Sequence, residues 1–157
     1  MGNVHLRVDG RMIHGQVAKA WSRLLETDEI LVIDDEVAVD ETQVMLLEFA
    51  VPPGIDFIMC TVDSGYGLLF KDKTDDENVF VIFKKLSSAV ELYNKGYEFK
   101  ELNIGGMYYE NNKKQYDKAL FLDEKDIEDI RYLLDKGVEV YYQTAPMNKK
   151  VSITKFI

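Results

Sequence analysis

The sequence is poor in residues that cross-link or interrupt a chain. Its 157 residues include one cysteine, three prolines and ten glycines. The lone Cys60 excludes an internal disulfide, and its place in the apolar run Phe57–Cys60 predicts a buried thiol. The scarcity of proline and the ordinary glycine content exclude collagen-like repeats and long flexible linkers. The length predicts a single domain that covers residues 1–157.

Long apolar runs are also missing. The longest, Val79–Phe83, is far too short to cross a bilayer. No N-terminal stretch shows the charged, apolar and small-residue order of a signal peptide. These absences lead us to expect a soluble, cytoplasmic protein.

Basic residues are outnumbered by acidic ones. The chain has 19 Lys and Arg against 28 Asp and Glu, which gives a formal net charge of −9 at pH 7. Such a surface repels nucleic-acid backbones and anionic lipids, so we expect neither nucleic-acid binding nor direct lipid binding. A local basic pocket for one small anion is still compatible with this charge.

Short β-rich runs alternate with helical patterns. The predicted strands are Val4–Val8, Ile30–Ile33, Ile55–Cys60, Val79–Phe83, Leu102–Ile104 and Val138–Tyr142. Several are continuously apolar, which is typical of parallel strands covered on both faces. Apolar residues at helical spacing predict helices around 17–25, 44–51 and 127–134. This alternation predicts an α/β fold with an open, mostly parallel, doubly wound sheet and helices on both faces.

Local signals refine the ends of these elements. Asp40 with Gln43, and Ser88 with Glu91, have the spacing of a helix-capping box. Glycines at positions 96 and 137 are placed to end helices. The polar, acid-rich stretch 63–78 shows no clear element. Residues 107–117 are compatible with a loop or with a hairpin that leads into the apolar run 119–122, and we predict the hairpin.

The residues best suited to catalysis or ligand binding follow the first strand. Ligands of an open α/β sheet collect beyond the carboxyl ends of its strands, beside helix N-termini. His14 is predicted there, where free N–H groups and the helix dipole favour an anion. Gly15 permits close approach of a bound group, and Arg11 offers planar donors to phosphate oxygens. This arrangement suits an imidazole that accepts a phosphoryl group.

Spacing alone leaves structural interpretations open. His14 is equally compatible with a loop-capping role in which its ring bonds a backbone carbonyl. His5, the other histidine, is expected to be a strand residue with a satisfied side chain, and no metal-ligand spacing is present. Arg7 and Asp9 share one face of the strand, where an internal salt bridge is at least as well supported as a catalytic role.

The segment resembles the signature of a known family. The IIB components of the mannose/fructose/sorbose family of the bacterial sugar phosphotransferase system show Asp-Asp-Arg-Leu-Ile-His-Gly-Gln-Val directly after their first strand. This chain reads Asp9-Gly10-Arg11-Met12-Ile13-His14-Gly15-Gln16-Val17. The resemblance continues through Trp21, Asp34–Ala38, Pro52–Gly54, Asn103–Met107 and the stretch from Leu122 to Pro146. It therefore spans nearly the whole chain in the expected order.

This resemblance implies a role for each matching residue. His14 matches the family histidine that is transiently phosphorylated on Nδ1, and Arg11 matches the arginine that helps to hold the phosphoryl group. Asp9 matches the first acid of the motif, which orients the loop or the imidazole. The backbone of Ile13 and Gly15 is expected to supply N–H donors to the phosphate.

Glycines and serines near this loop have less specific roles. Gly10 replaces the family's second acid, so any role of that acid is unsupported in this chain. Gly105 and Gly106 permit either close backbone approach or a tight turn. Ser87 and Ser88 follow the most apolar strand, and either is a candidate hydrogen-bond donor to phosphate, with Ser87 taken as the site residue and a helix N-cap as the alternative role.

The resemblance also implies a reaction and its partners. His14 would accept a phosphoryl group from a phosphohistidine on a IIA protein or domain. It would pass the group to a sugar held by the membrane subunits IIC and IID. The chain would then be a protein-Nπ-phosphohistidine–sugar phosphotransferase that associates with the membrane through IIC and IID. It would need no cofactor or metal besides the transient phosphate on His14.

Two other classes of function are compatible with the residues. One is a regulatory domain in which His14 and Arg11 bind a phosphorylated ligand without covalent chemistry. The other is a receiver-like domain phosphorylated on an aspartate, because Asp34 and Asp35 follow a predicted strand and Lys84 follows another. If these acids are not phosphorylated, we expect the run Asp34-Asp35-Glu36 to cap the helix that follows.

Overall fold

The computed structural model describes residues 2–71 and 76–157. The strands are β1 Val4–Asp9, β2 Glu29–Ile33, β3 Asp56–Cys60, β4 Val79–Phe83, β5 Glu101–Gly106, β6 Lys114–Asp117, β7 Leu120–Leu122, β8 Glu139–Tyr142 and β9 Val151–Ser152. The α-helices are α1 Gly15–Leu24, α2 Glu41–Ala50, α3 Val62–Lys71, α4 Leu86–Lys95 and α5 Glu124–Asp135. Short 3₁₀ turns occupy Val37–Val39 and Ile153–Lys155.

Seven strands form one sheet in the order β3-β2-β4-β1-β5-β8-β9. The first six run parallel, and β9 pairs antiparallel with β8. The remaining strands, β6 and β7, form a separate antiparallel hairpin. The predicted doubly wound sheet and the hairpin are both confirmed. Because β1 lies between β4 and β5, the carboxyl ends of these three strands meet at one edge of the sheet.

Helices cover both faces of this sheet. Side chains of α1 and α2 join one hydrophobic cluster, which includes Trp21 and Leu47. Side chains of α3, α4 and α5 join a second cluster on the other face. All five residues of β4 are buried, and successive side chains of that strand point into alternate clusters. Burial on both faces explains why β4 is continuously apolar.

One helix forms where the sequence shows no element. The segment 62–71 is α3, although its glycines and polar residues have low intrinsic helix propensity. Tertiary packing explains the difference. A Cβ at Gly65 would lie 2.7 Å from Ile33 Cδ1, so glycine allows α3 to approach β2 closely. The rest of the patternless stretch includes residues 72–75, which lie outside the described residues.

The structure confirms one of the two predicted helix caps. Asp40 caps α2 by accepting a hydrogen bond from Gln43 N–H at 3.2 Å, as predicted. The capping box predicted at Ser88 is wrong, because α4 begins at Leu86 and Lys85 takes the N-cap position. Buried apolar contacts of Leu86 start that helix earlier than the polar pattern indicates.

Other predicted features are confirmed. Gly96 and Gly137 follow α4 and α5 with φ of 122° and 89°, a left-handed region that favours glycine. Cys60 is buried, with 5% of its surface exposed. Within the described residues, no helix has the length and apolar character needed to cross a membrane.

Candidate active site

The segment between β1 and α1 forms a tightly held loop. Gly10 N–H donates to the Gly106 carbonyl, and Met12 N–H donates to the Asp9 carbonyl, each at 2.9 Å. Met12 and Ile13 are buried in the cluster beneath α1 and α2. With the loop held by these contacts, His14 is the N-cap residue of α1 and has an extended backbone conformation. The sequence prediction of His14 at a helix start is confirmed.

His14 is oriented by a buried carboxylate. Its Nε2 lies 3.1 Å from Asp9 Oδ2, where Asp9 is 1% exposed and the His14 side chain is 25% exposed. A carboxylate that faces a guanidinium only accepts hydrogen bonds, so Nε2 carries the proton. The lone pair of the neutral ring is therefore on Nδ1. The alternative in which the ring caps a backbone carbonyl is wrong, since its partner is the Asp9 side chain.

Asp9 is in turn held by Arg7. Arg7 Nη2 donates to Asp9 Oδ2 at 3.2 Å, and the Arg7 side chain is 3% exposed. The other donors of Arg7 reach Asn103 Oδ1 and the carbonyls of Gln143 and Thr144, at 2.7 to 2.9 Å. Burial lowers the pKa of Arg7, and the neighbouring Asp9 opposes that shift. The internal salt bridge predicted from the strand face is confirmed, and its carboxylate also orients His14.

Two glycines make room for this network. The register between β1 and β5 shifts at Val8 and Asp9, which pairs Asp9 with Gly106. A Cβ at Gly105 would overlap the Arg7 guanidinium, and one at Gly106 would overlap the Tyr108 ring. Close approach is therefore the function of both glycines. The groups that approach are side chains of the protein itself.

Arg11 stands at the solvent side of the same loop. Its backbone N–H donates to Asp9 Oδ1 at 2.9 Å. Its guanidinium lies over the Tyr108 ring, with Cζ 4.5 Å from the ring centroid, which is a cation–π contact. The structure pairs this guanidinium with no carboxylate among the residues that it describes. Its donors are therefore available to an anion.

Sequence reasoning missed Tyr108 and Asn103. Tyr108 follows the glycine pair at the end of β5, and a Cβ at Gly10 would lie 3.1 Å from its Cδ2. The loss of the family's second acid therefore leaves space for the ring that supports Arg11. Asn103 is fully buried between Leu102 and Ile104 of β5. That isolated polar residue was the one signal that the sequence offered for it.

The N-terminus of α1 adds backbone donors beside His14. The hydrogen bond from Ala18 N–H to the His14 carbonyl, at 3.3 Å, opens the helix. The amides of Gly15 and Gln16 precede that bond, so they have no carbonyl acceptor within the helix. Gly15 is exposed and has a φ of 48°. The side chain of Ile13 is buried in the core, so a role of its backbone N–H in phosphate binding stays a prediction.

Ser87 lies on the same edge of the sheet but in a neighbouring cleft. It is an exposed residue in the first turn of α4. With Gly10, Lys84 and Tyr108 it lines a cleft of about 400 Å³. The N-cap alternative for Ser87 is wrong, since Lys85 occupies that position. A role of Ser87 in phosphate binding stays a prediction.

His5 has a structural environment. Its ring stacks on Trp21 at a centroid distance of 5.4 Å and meets Phe80 edge-on at 5.7 Å. Burial, followed by the charge of Arg7, lowers the pKa of His5 to about 4. The prediction of a satisfied side chain is wrong for Nε2, which has no hydrogen-bond partner among the described residues. Those residues also include no group of three His, Cys, Asp or Glu side chains placed to hold a metal ion.

The acids after β2 act as structural caps. Asp34 is 2% exposed, and its Oδ2 accepts from Val37 N–H at 2.9 Å. Asp35 accepts from Val62 N–H at 2.9 Å, at the start of α3. The predicted capping of the following helix is confirmed for Asp34, which caps the 3₁₀ turn Val37–Val39. It is wrong for Asp35, which bonds the start of α3, and α2 is capped by Asp40. The Asp34 carboxylate is buried and engaged in a turn, which makes it a poor phosphoryl acceptor. Asp35 is exposed, so this argument does not extend to it.

Comparison with known proteins agrees with this geometry. Residues 3–157 match the family model described as PTS system sorbose subfamily IIB component, where PTS denotes the phosphotransferase system. The sorbose-specific EIIB component of Klebsiella pneumoniae is 33% identical over 147 residues, which are 94% of this chain and 90% of that protein. The chain belongs to this IIB family. Its role is therefore that of a phosphotransferase component in sugar transport.

Other relatives place this IIB component in context. The mannose-specific EIIAB component of Escherichia coli K12 is 31% identical over 96% of this chain, which corresponds to 47% of that longer protein. The crystal structure of the IIBSor domain of the Klebsiella pneumoniae sorbose permease has a TM-score of 0.93 and 32% identity. The match covers 99% of this chain and 95% of that chain. The seven-stranded sheet and its hairpin are thus features of the family fold.

Proposed function

We propose that this IIB component relays a phosphoryl group through His14 Nδ1. The hydrogen bond between Nε2 and Asp9 carries the proposal, because it leaves the Nδ1 lone pair as the nucleophile. The His14 side chain is one-quarter exposed, so a partner protein has access to it. This partial exposure also suits a relay, which must release the group that it accepts.

The first step is an in-line transfer from a phosphohistidine of a IIA protein. The Nδ1 lone pair forms a new N–P bond while the N–P bond to the donor imidazole breaks. The donor ring keeps that electron pair. A loose transition state of this kind depends on positioning and charge compensation. The Arg11 guanidinium and the free amides at the start of α1 are placed to bind the three equatorial oxygens.

Asp9 stabilises the phosphorylated ring. A ring that is phosphorylated on Nδ1 and protonated on Nε2 carries positive charge, which the adjacent carboxylate compensates. Because Asp9 is held by Arg7 in a buried network, the carboxylate need not reorganise during the reaction. The same network keeps the ring in one tautomer, so the correct nitrogen faces the donor in every cycle.

The second step passes the group to a sugar. A hydroxyl oxygen of the sugar forms the new O–P bond, the bond to Nδ1 breaks, and the imidazole recovers its electron pair. The hydroxyl proton is taken up by a base on the sugar-binding side. The sugar is held by the membrane subunits IIC and IID. A IIA partner is supported by the relative in which IIA and IIB are named as one EIIAB component.

Phosphorylation assays test the acceptor residue. The chain is incubated with phosphoenolpyruvate, the general phosphotransferase proteins and a cognate IIA, and its intact mass is measured. Wild type should gain one phosphoryl group that is acid-labile and alkali-stable, whereas His14→Ala should gain none. His5→Gln is the matched control and should be phosphorylated like wild type.

The same assay separates the alternatives. Covalent phosphate that persists in His14→Ala would refute the assignment. A phosphate that is lost in base would indicate an acyl phosphate, and no covalent phosphate at all would indicate an anion-binding domain. Phosphorus NMR of the product should show the Nδ1 isomer. A phosphoryl group on Nε2 would contradict the orientation that Asp9 imposes.

A further inference from the structure

Asn103 is a buried polar residue that pairs directly with Arg7. In the parallel register of β1 and β5, the two residues are Cα partners. Leu102 and Ile104, on either side of Asn103, belong to the cluster beneath α3, α4 and α5, so the Asn103 side chain points to the opposite face of the sheet. That face is packed against the apolar side of α1, which includes Trp21. A fully buried amide in such a place requires hydrogen-bond partners.

Both polar groups of the Asn103 amide have such partners. Its Oδ1 accepts a hydrogen bond from Arg7 Nη1 at 2.7 Å, and its Nδ2 donates to the Gln143 carbonyl at 3.2 Å. The same carbonyl accepts a hydrogen bond from Arg7 Nη1 at 2.9 Å. Asn103 therefore fixes the guanidinium and also one of the other acceptors of that guanidinium.

The Arg7 guanidinium has little room to turn. Its Cζ lies 5.0 Å from the centroid of the Trp21 ring, and a Cβ at Gly105 would overlap it. Because these neighbours confine the group, the hydrogen bonds at Nη1 set the direction in which Nη2 points. Nη2 donates to Asp9 Oδ2 at 3.2 Å. Asn103 is thus connected to His14 through Arg7 and Asp9.

The charges of this network balance. Asp9 is the one carboxylate that pairs with Arg7 within residues 2–71 and 76–157. The pKa of His5 is lowered to about 4 by burial and by the charge of Arg7, so its ring is neutral near pH 7. Burial raises the pKa of Tyr108, and it raises that of Tyr141 to about 12, so both phenols are neutral as well. Behind His14 there is consequently one cation and one anion.

We propose that Asn103 is a positioning residue for phosphoryl transfer, which acts on His14 through Arg7 and Asp9. Its oxygen holds the guanidinium against Asp9, and its lack of charge leaves the Arg7 charge to balance that carboxylate. His14 is therefore oriented by Asp9 but stays neutral, with the lone pair on Nδ1. A carboxylate at position 103 would place two anions beside one cation and favour an imidazolium, which has no lone pair. The proposal rests on the relay function above.

Asn103→Leu tests the geometric part, because it removes the acceptor and leaves the charge unchanged. The guanidinium can then shift, so kcat for phosphorylation by IIA should fall about tenfold or more. KM for phospho-IIA should be unchanged, because Asn103 does not reach the surface. Phosphorus NMR should detect part of the phosphate on Nε2. Asn94→Leu, at an exposed position near the end of α4, is the matched control and should behave like wild type.

Asn103→Asp tests the charge, because it keeps the acceptor and adds one negative charge. It is made in the His5→Gln background, so that His5 cannot take up the compensating proton. With the same phospho-IIA as donor, the pH of half-maximal rate should rise by about one pH unit relative to His5→Gln alone. Asn94→Asp in that background adds the same charge at the opposite edge of the sheet and should leave the pH profile unchanged.

A measurement on wild type keeps the proposal testable even if the Asn103 variants unfold in thermal denaturation. Nitrogen-15 NMR at pH 7.5 should show a neutral His14 ring with its proton on Nε2, and a proton on Nδ1 would overturn the proposal. A wild-type kcat in Asn103→Leu would overturn it, and so would an unchanged pH profile in Asn103→Asp. In each of these cases His14 still carries the covalent phosphate, whereas failure of the relay function appears as phosphate retained by His14→Ala.

Discussion

Replacing Asp9 with asparagine is the most direct test of the network behind His14. Three donors converge on the carboxylate: Arg7 Nη2 at 3.2 Å and His14 Nε2 at 3.1 Å on Oδ2, and Arg11 N–H at 2.9 Å on Oδ1. An asparagine side chain has a single oxygen. Its amide group must therefore face either the backbone of Arg11 or the pair formed by Arg7 and His14.

The stability cost follows from burial. Arg7 and Asp9 are about equally buried, and removing one partner of a buried ion pair costs about 3 to 5 kcal/mol. Arg7 retains three other acceptors, on Asn103, Gln143 and Thr144. We therefore expect the lower end of that range, about 3 kcal/mol, for Asp9→Asn.

The activity cost follows from the hydrogen bond to His14. A hydrogen bond to a charged group contributes about 1.5 to 3 kcal/mol, so phosphorylation by IIA should slow about ten- to hundredfold. If the amide group faces Nε2, the ring must place its proton on Nδ1, and the nucleophile is blocked. In that case the loss should exceed this range.

The assays use features of the chain itself. Trp21 is the single tryptophan, and its ring lies 5.0 Å from Arg7 Cζ, so its fluorescence reports unfolding of the site in a denaturant titration. Asp135→Asn, at an exposed position, should change stability by less than about 0.5 kcal/mol. If Asp9→Asn unfolds like this control and is phosphorylated within twofold of the wild-type rate, the orienting role of Asp9 is refuted.

Four further predictions concern neighbours of this network. Because the pKa of His5 is lowered to about 4 and an unfolded imidazole titrates near 6.5, the unfolded chain takes up this proton first as the pH falls. Between pH 6.5 and pH 4, the free energy of unfolding of wild type should fall by up to about 3 kcal/mol more than that of His5→Gln, as measured by denaturant titration. If the free energy of unfolding of both proteins changes equally with pH, this prediction is wrong. Arg11→Ala should slow phosphorylation about tenfold or more while the free energy of unfolding changes by less than about 1 kcal/mol, because the side chain is exposed. Tyr108→Leu should also slow phosphorylation, whereas Tyr108→Phe should not, because the cation–π contact uses the ring face. Equal rates for the two variants would show that the ring does not position Arg11. Gly105→Ala should destabilise the protein by about 2 kcal/mol, because a Cβ would overlap the Arg7 guanidinium, and an unchanged denaturation midpoint would show that the network can shift.

Predictability differed between elements for physical reasons. The strand β4 was predicted with its observed bounds, because a strand buried on both faces must be apolar throughout. The helix α3 was missed, because its stability comes from packing of Gly65 against Ile33 and not from local propensity. The start of α4 was misplaced for the same kind of reason, since burial of Leu86 outweighs the polar capping pattern that follows it.

The candidate site shows the same division. The loop between β1 and α1 was predicted as the reactive segment because one short stretch carries an acid, an arginine and a histidine. Ser87 was proposed from its strand end alone, and the structure places it in an adjacent cleft. Tyr108 lies almost a hundred positions after Arg11 along the chain, and nothing local to either residue indicates that they stack.

The sequence by itself determined the fold class and the place of the candidate histidine at the start of the first helix, because apolar periodicity and motif order are properties of neighbouring residues. It also determined the net charge of −9, which disfavours large polyanions as partners. Only the tertiary structure decided which ring nitrogen of His14 is free, since that depends on a carboxylate held by an arginine and by an asparagine on another strand. It likewise decided that Met45, Leu46 and Phe49 of α2 face solvent. Contacts between distant segments set both properties, and a linear pattern does not record them.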